Sequence, residues 1–331
     1  MALKPLSIGE IVDRSTSLWR SNWKALFQLL LGFQLVQYIS LKSIELLIDR
    51  TLPAAKNPVQ ALELMKADPS TWMPQVWPIA ISVAVVVLVN FFVSQVSGVA
   101  ISAFVFPRVT SAGAPSIADS MRLAVRKVGP TLGVLLLTLG WTLLVGVLFM
   151  LPGLATTGAG IYLALGNSQQ AGAGVALLGT VLVLAGGLVL VLWFLIRFVL
   201  ISQVLAVEEV SAVGCFRRTD ALSSGRVGPG FAGLVKGRLT LLISIIAFIL
   251  TVVGLVTGIP ELIIKAMFGE LTGAAAGTAP QALVVPAQLL QVVAGAVVTP
   301  LYVVFQVVFY VDMRVRREGL DLELATKPVA A

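Results

Sequence analysis

The chain has 331 residues, of which 58% are hydrophobic and 12% charged, with a net charge of +7 and no histidine. A soluble domain carries about 25% charged residues, so this composition argues against a soluble globular protein. The missing histidine excludes His-based zinc sites and Ser-His or Cys-His catalysis, and a single cysteine, Cys215, excludes an intrachain disulfide.

The apolar residues gather into six stretches: Ala25–Leu47, Trp77–Pro107, Pro130–Leu151, Ala173–Gln203, Leu239–Ile264 and Gln281–Tyr310. A helix crosses a bilayer core with roughly 20 apolar residues, and each stretch meets that. Hydrocarbon offers no partner to backbone N–H and C=O groups, so the spans should be helical. Barrel strands would alternate over about 10 residues, and Val181–Ile196 does not alternate. The expected fold class is therefore all-α: a polytopic membrane protein with six transmembrane helices as three hairpins, each with a cytoplasmic amphipathic lead-in helix. One integral membrane domain is expected over residues 1–331.

The first lead-in is Leu6–Trp19, with Ile8, Ile11, Val12, Leu18 and Trp19 on one side. Ser7 and Glu10 form a capping-box pattern at its start. No small-residue cleavage site follows the first apolar run, so that span is expected to stay in the mature protein. Between the first two spans, Ile48–Gln75 is expected to hold a short ordered segment, with Asn57 as cap, Pro58 in its first turn and Pro69 as its stop. Trp72, Met73 and Trp77 then read as an interfacial aromatic belt. The second lead-in, Ser116–Val128, repeats the cap through Ser116 and Asp119 and aligns Ile117, Met121, Ala124, Val125 and Val128. The stretch Pro152–Gly172, uncharged and rich in glycine, is expected to be a loop dipping into the interface.

The third lead-in is Ser211–Ser224, where Gly214 stands in place of the capping carboxylate. Glu208 and Glu209 are expected to pair with Arg217 or Arg218. The turn Gly225-Arg-Val-Gly-Pro-Gly230 lacks the preceding strand and the Lys-Ser/Thr of a phosphate cradle. Gly186 and Gly187 lie in the fourth span, and Gly254-Leu-Val-Thr-Gly258 in the fifth is a small-xxx-small pattern that permits close helix packing. Pro286 and Pro300 interrupt the long sixth span, where tilt or a kink is expected. A broken helix lining a site is the sharper reading of that interruption.

Ser7, Ser116 and Ser211 mark a period of roughly 100 residues, which suggests repeats over 6–110, 116–210 and 211–317. The plainer reading is that every re-entry from the cytoplasm uses a basic amphipathic lead-in. Basic residues concentrate beside one set of span ends, which places both termini in the cytoplasm of a cell whose inner or plasma membrane holds the chain. These charges serve topology and anionic headgroups rather than nucleic acid. Arg14, Arg20, Arg122, Arg126, Arg217 and Arg218 are the candidate contacts to lipid or to a protein partner.

Polar residues inside the spans form a second candidate set. Arg197 lies about six residues, or roughly 9 Å, from the end of its span, where it can snorkel, pair structurally, or meet a lipid phosphate or substrate. Asn90, Gln95 and Gln306 read as interhelical hydrogen-bonding groups or as a weak polar path. No P-loop, nucleophile elbow, kinase signature or dinucleotide fingerprint is present. No catalytic, cofactor-binding or metal-binding residue is expected.

Three stretches carry a family resemblance: Leu6-Ser-Ile-Gly-Glu-Ile-Val-Asp-Arg-Ser-Thr-Ser-Leu-Trp-Arg-Ser-Asn-Trp23, Cys215-Phe-Arg-Arg-Thr-Asp-Ala-Leu-Ser-Ser-Gly225, and Tyr310-Val-Asp-Met-Arg-Val-Arg-Arg-Glu-Gly-Leu-Asp321. Together they resemble the bacterial multi-pass family named after the membrane domain of glycerophosphoryl diester phosphodiesterases, and its stand-alone relatives. The resemblance implies a membrane domain whose enzymology, in fused members, belongs to a separate soluble domain. It carries over no catalytic residue. The function expected is a non-enzymatic membrane scaffold or lipid-interacting accessory to a partner protein. The alternative is a transporter or lipid-translocating protein. An intramembrane enzyme comes third, with Arg197 and Asn90 the residues to check for convergence.

Overall fold

The computed structural model describes residues 4–51, 69–165, 169–269 and 279–326. The described residues are almost wholly helical and contain no strand, only one isolated bridge between Arg226 and Leu234. In chain order the helices are α1 (Ile8–Thr51), α2 (Pro69–Val109), α3 (Ile117–Arg126), α4 (Val128–Leu165), α5 (Gln169–Phe198), α6 (Ile201–Val207), α7 (Ala212–Ser223), α8 (Val235–Met267), α9 (Gln281–Glu318) and α10 (Leu320–Thr326). Six of them, α1, α2, α4, α5, α8 and α9, are long and apolar enough to cross a membrane. The chain is an all-α polytopic membrane protein.

Four boundaries differ from the sequence reading. The first lead-in and the first span run as one helix of 44 residues, α1, because the polar stretch Arg20–Lys24 contains no glycine or proline to break it. At 1.5 Å per residue α1 is about 66 Å long, twice what the hydrocarbon requires. The expected loop at Pro152–Gly172 is mostly helix: α4 continues through Pro152 to Leu165 and α5 begins at Gln169. The fourth span ends early, at Phe198, and α6 follows after a turn at Val199 and Leu200. There the carbonyl of Arg197 accepts from the Ser223 hydroxyl at 2.9 Å, so a carbonyl in the last turn of α5 is satisfied by a side chain. The segment expected to be capped by Asn57 lies outside the described residues. Pro69 opens α2 rather than ending it, in the first-turn position that its missing N–H tolerates.

The chain divides into two compact units, Met1–Lys127 with Leu242–Ala331, and Val128–Leu241. In the first, α1 packs against α2 and α9, and α2 also packs against α3 and α9. The C-terminal half of α9 is its centre: every residue from Val303 to Met313 is buried, and a helix apolar all round is one covered on every side. Tyr310 meets Phe106 of α2 edge to face, with ring centroids 6.1 Å apart. One charge is taken into this core. Asp312, 1% exposed, accepts from the backbone N–H of Leu6 at 2.7 Å and from Arg316 Nε at 3.1 Å. Arg316 in turn donates to the Leu6 carbonyl at 2.7 Å. The chain just before α1 is thereby tied to the end of α9.

The second unit is built on a close helix pair. Gly153 of α4 faces Val183 of α5, and Gly160 faces Ala176, so the two helices run antiparallel. A Cβ at Gly153 would lie 2.5 Å from the Val183 nitrogen, and one at Gly186 would lie 2.5 Å from the Phe149 carbonyl oxygen. Gly146, Gly153 and Gly160 recur every seven residues, as do Gly179 and Gly186, which keeps the small side facing the partner. The Gly254/Gly258 pattern has no such role: a Cβ at Gly254 meets nothing within 4 Å. Gly160→Leu should therefore lower the thermal unfolding midpoint of the detergent-solubilised protein, since forced backbone separation costs about 1–3 kcal/mol or more. Gly158→Leu and Gly254→Leu, which enter open space, should leave it nearly unchanged. Equal losses at all three would show that the glycine stripe is incidental.

Candidate functional site

Three polar constellations stand out, two in the first unit and one in the second. The first is a cavity of about 540 Å³ at the start of α1 and the end of α2, walled by Lys4, Glu10, Asp13, Arg14, Arg108 and Ser111 among others. Arg14 Nη2 donates to the Val109 carbonyl at 2.9 Å. Arg108 donates to the carbonyls of Phe104 at 2.6 Å and Pro115 at 3.1 Å. These acceptors lie at or just beyond the C-terminal turns of α2, where unpaired carbonyls and the helix dipole favour cations. The Phe104 ring lies 3.5 Å from the Arg108 guanidinium carbon and braces it from one face.

The second constellation is a polar seam inside the first unit. Glu261 of α8 accepts from Gln288 Nε2 at 3.0 Å and Gln291 Nε2 at 2.9 Å, both on α9, and pairs with Lys265 at 2.7 Å. Tyr38 of α1 donates to Gln288 Oε1 at 3.3 Å, and Gln37 donates to the Asn90 carbonyl at 3.4 Å. A carboxylate among long apolar helices is tolerable only when its acceptor sites are filled, and here three donors fill them. The sequence reading missed Glu261, Gln288, Gln291 and Tyr38. Their signal was present as Glu261/Lys265 at i,i+4, Gln288/Gln291 at i,i+3 and Gln34/Gln37/Tyr38 on one helix face.

The third is a smaller groove of about 260 Å³ in the second unit, lined by Leu137, Trp141, Phe198, Val213, Phe216 and Arg217, with Arg197 and Asp220. Arg197 makes a two-pronged pair with Asp220, Nε to Oδ1 at 2.7 Å and Nη2 to Oδ2 at 3.0 Å. The Phe198 and Phe216 rings pack edge to face at 4.9 Å beside it. The pair links α5 to α7, and both side chains are about one-third exposed.

Asn90, Gln95 and Gln306 belong to the first unit and Arg197 to the second. Asn90 Nδ2 donates to Val86 O on its own helix at 2.8 Å. Gln95 is half-buried on α2. Gln306 is buried on α9 and hydrogen-bonds Tyr302.

Among the candidate contact arginines, Arg218 pairs with Glu208 at 2.8 Å and Arg122 with Asp119 at 3.2 Å. Arg20, Arg126 and Arg217 are exposed. The caps at the three serines are also in place. Ser7 and Glu10 exchange both capping hydrogen bonds, as do Ser116 and Asp119, while Ser211 keeps only its half, accepting from Gly214 N at 3.2 Å. The Ser116 hydroxyl, its backbone N–H and nearby Arg122 hold the Asp119 carboxyl below its ordinary range. Among the described residues, no group of three His, Cys, Asp or Glu is placed to hold a metal ion.

No family model, no curated protein and no solved structure matches the chain.

Two measurements follow. In a double-mutant cycle with Arg197→Gln and Asp220→Asn, a coupling of about 1 kcal/mol or less is expected for a pair this exposed; no coupling would make it incidental. A carboxyl NMR titration should place Asp119 below the usual aspartate value near 3.9. Its contribution to α3 is then complete above the unfolded value and lost as pH falls through the lowered folded one. Ser116→Ala should return the midpoint toward the ordinary value.

Proposed function

We propose that this chain is a non-enzymatic multi-pass membrane scaffold that engages anionic lipid and serves as accessory to a protein partner. The observation that carries the reading is α3. This short helix is separate from the long spans, and it exposes Arg122 and Arg126 next to Val125, which is 64% exposed. Its opposite side, at Ser120 and Ala124, is buried. An exposed apolar residue flanked by cations suits the headgroup boundary, where the methyls sink and the guanidiniums meet phosphate. α7 offers the same pattern with Val213 and Arg217 exposed.

The charge distribution supports an orientation with both termini in the cytoplasm of an inner or plasma membrane. Lys4, Arg14, Arg20, Arg108, Arg122, Arg126, Arg217, Arg218, Arg314, Arg316 and Arg317 then all lie on the positive-inside face. The recurring serine caps support descent from a repeated unit, and the resemblance to the phosphodiesterase-associated membrane family supports an accessory role.

A second reading, a transporter or lipid-translocating protein, draws on the seam around Glu261. An ionisable residue within a span, here a carboxylate held by two glutamines of α9, marks a candidate intramembrane polar path. Lys265 neutralises it here at 2.7 Å, which favours a structural bond.

The test is native mass spectrometry from nanodiscs of mixed phosphatidylcholine and phosphatidylglycerol. Arg122→Gln with Arg126→Gln should reduce retained phosphatidylglycerol several-fold, at about 1 kcal/mol per basic residue near the surface. Unchanged retention together with unchanged partner recovery would overturn the reading. Scrambling of a labelled lipid in proteoliposomes above the protein-free rate would favour the transporter instead.

A further inference from the structure

We propose that the cavity between the start of α1 and the end of α2 is a binding site for a phosphate group, gripped by Arg14 and Arg108. The inference rests on the lipid-interacting reading only for where its ligand is found. It stands on its own geometry.

Both guanidiniums are held in place by backbone carbonyls rather than by carboxylates. Arg14 spends one N–H on Val109, and Arg108 spends two, on Phe104 and Pro115. A guanidinium has five N–H donors in a rigid fork, so each keeps most of its donors for a second acceptor. The carbonyls fix the direction of each fork without cancelling its charge, and the Phe104 ring prevents Arg108 from swinging toward that side. Preorganised forks of this kind suit an oxyanion that offers several acceptors at once.

Charge points the same way. The cavity walls carry Lys4, Arg14 and Arg108 against Glu10 and Asp13, three cations against two carboxylates. Glu10 is already engaged by Lys4 at 2.9 Å and by the Ser7 backbone N–H at 2.7 Å. Asp13 is exposed and is the one acid left to compete for the arginines. The cavity of about 540 Å³ lies within the range of small-ligand sites, roughly 300–1,000 Å³. It has room for a phosphate carrying a small organic substituent. Phosphate chemistry of this kind comes either from a lipid headgroup or from a soluble phosphate ester or ion.

The test uses the full chain, delipidated in maltoside micelles so that no phospholipid competes, at constant ionic strength in chloride. Inorganic phosphate and dihexanoyl phosphatidic acid are titrated in separate arms by calorimetry. Saturable binding in both arms is expected if the phosphate group itself is recognised. Binding of the lipid alone assigns the site to headgroups, and binding of phosphate alone assigns it to soluble ligands. Either supports the proposal, whereas saturation in neither arm overturns it. Arg14→Gln with Arg108→Gln should weaken binding about tenfold or more, the scale of lost charge-assisted hydrogen bonds.

Because those arginines also cap α2, two further variants leave them intact. Asp13→Asn removes the competing carboxylate and should tighten binding several-fold, a gain that misfolding cannot produce. Ser17→Trp, at the cavity wall, should block binding. Unchanged affinity in Arg14→Gln/Arg108→Gln, or a loss in Asp13→Asn, would sink the proposal. Arg122→Gln with Arg126→Gln should not alter this binding, so failure of the cavity and failure of α3 as a lipid contact are told apart.

Discussion

Hydrocarbon supplies no hydrogen bonds, and that constraint shapes this molecule more than any single contact. It forces the backbone into helices, because only there does each N–H find its own carbonyl. It also removes much of the hydrophobic drive that would hold helices together in water, since lipid tails are as apolar as leucine. Association must then come from close van der Waals approach or from polar groups with nowhere else to bond. The two units use these two means in different proportion. In the second, α4 and α5 meet backbone to backbone along glycines 153, 160, 179 and 186. In the first, α8 is stitched to α9 by Glu261, Gln288 and Gln291, while α9 is wrapped by α1 and α2 around Phe104, Phe305 and Tyr310.

The same constraint orders the charges. Several charged side chains taken out of water within the described helices are met by partners. Asp312 is held by Arg316 and the Leu6 amide, and Glu261 by three donors. Arg197 is met by Asp220. Arg14 and Arg108 differ in being matched to carbonyl dipoles instead of carboxylates. A dipole orients a guanidinium but leaves its full charge in place, and this sets their cavity apart from the groove around Arg197, where Asp220 has largely cancelled the field.

What the sequence made legible follows from the range of the interactions. The six apolar spans were plain because the bilayer imposes a length on each of them. The serine caps were plain because a capping box acts over three residues. Helix continuity was harder. Arg20–Lys24 reads as a boundary by polarity, yet every residue in it is compatible with a helix, and α1 runs through it. Pro152 and the glycines after it read as a loop. In a membrane, however, a proline is tolerated inside a helix and glycine marks a packing face rather than a break. The break at Phe198–Ile201 had no local mark at all, since its support comes from Ser223, 26 residues further on.

Site residues follow the same rule with more force. Arg197 was identifiable as a charge in an apolar stretch, but Asp220 was not identifiable as its partner, because it lies 23 positions further on, beyond α6. Glu261 was visible in principle, one helical turn before Lys265 and near the end of its apolar stretch. Position in a span is a poor guide when the helix overshoots the hydrocarbon: α8 continues to Met267, so Glu261 faces α9 with more than a turn of helix still beyond it. The consequence concerns how such proteins are read. A polar residue's meaning in a membrane helix depends less on its distance from the apolar boundary than on whether a neighbouring helix offers it donors, and the glutamine pair at i,i+3 on α9 was the mark that donors were waiting.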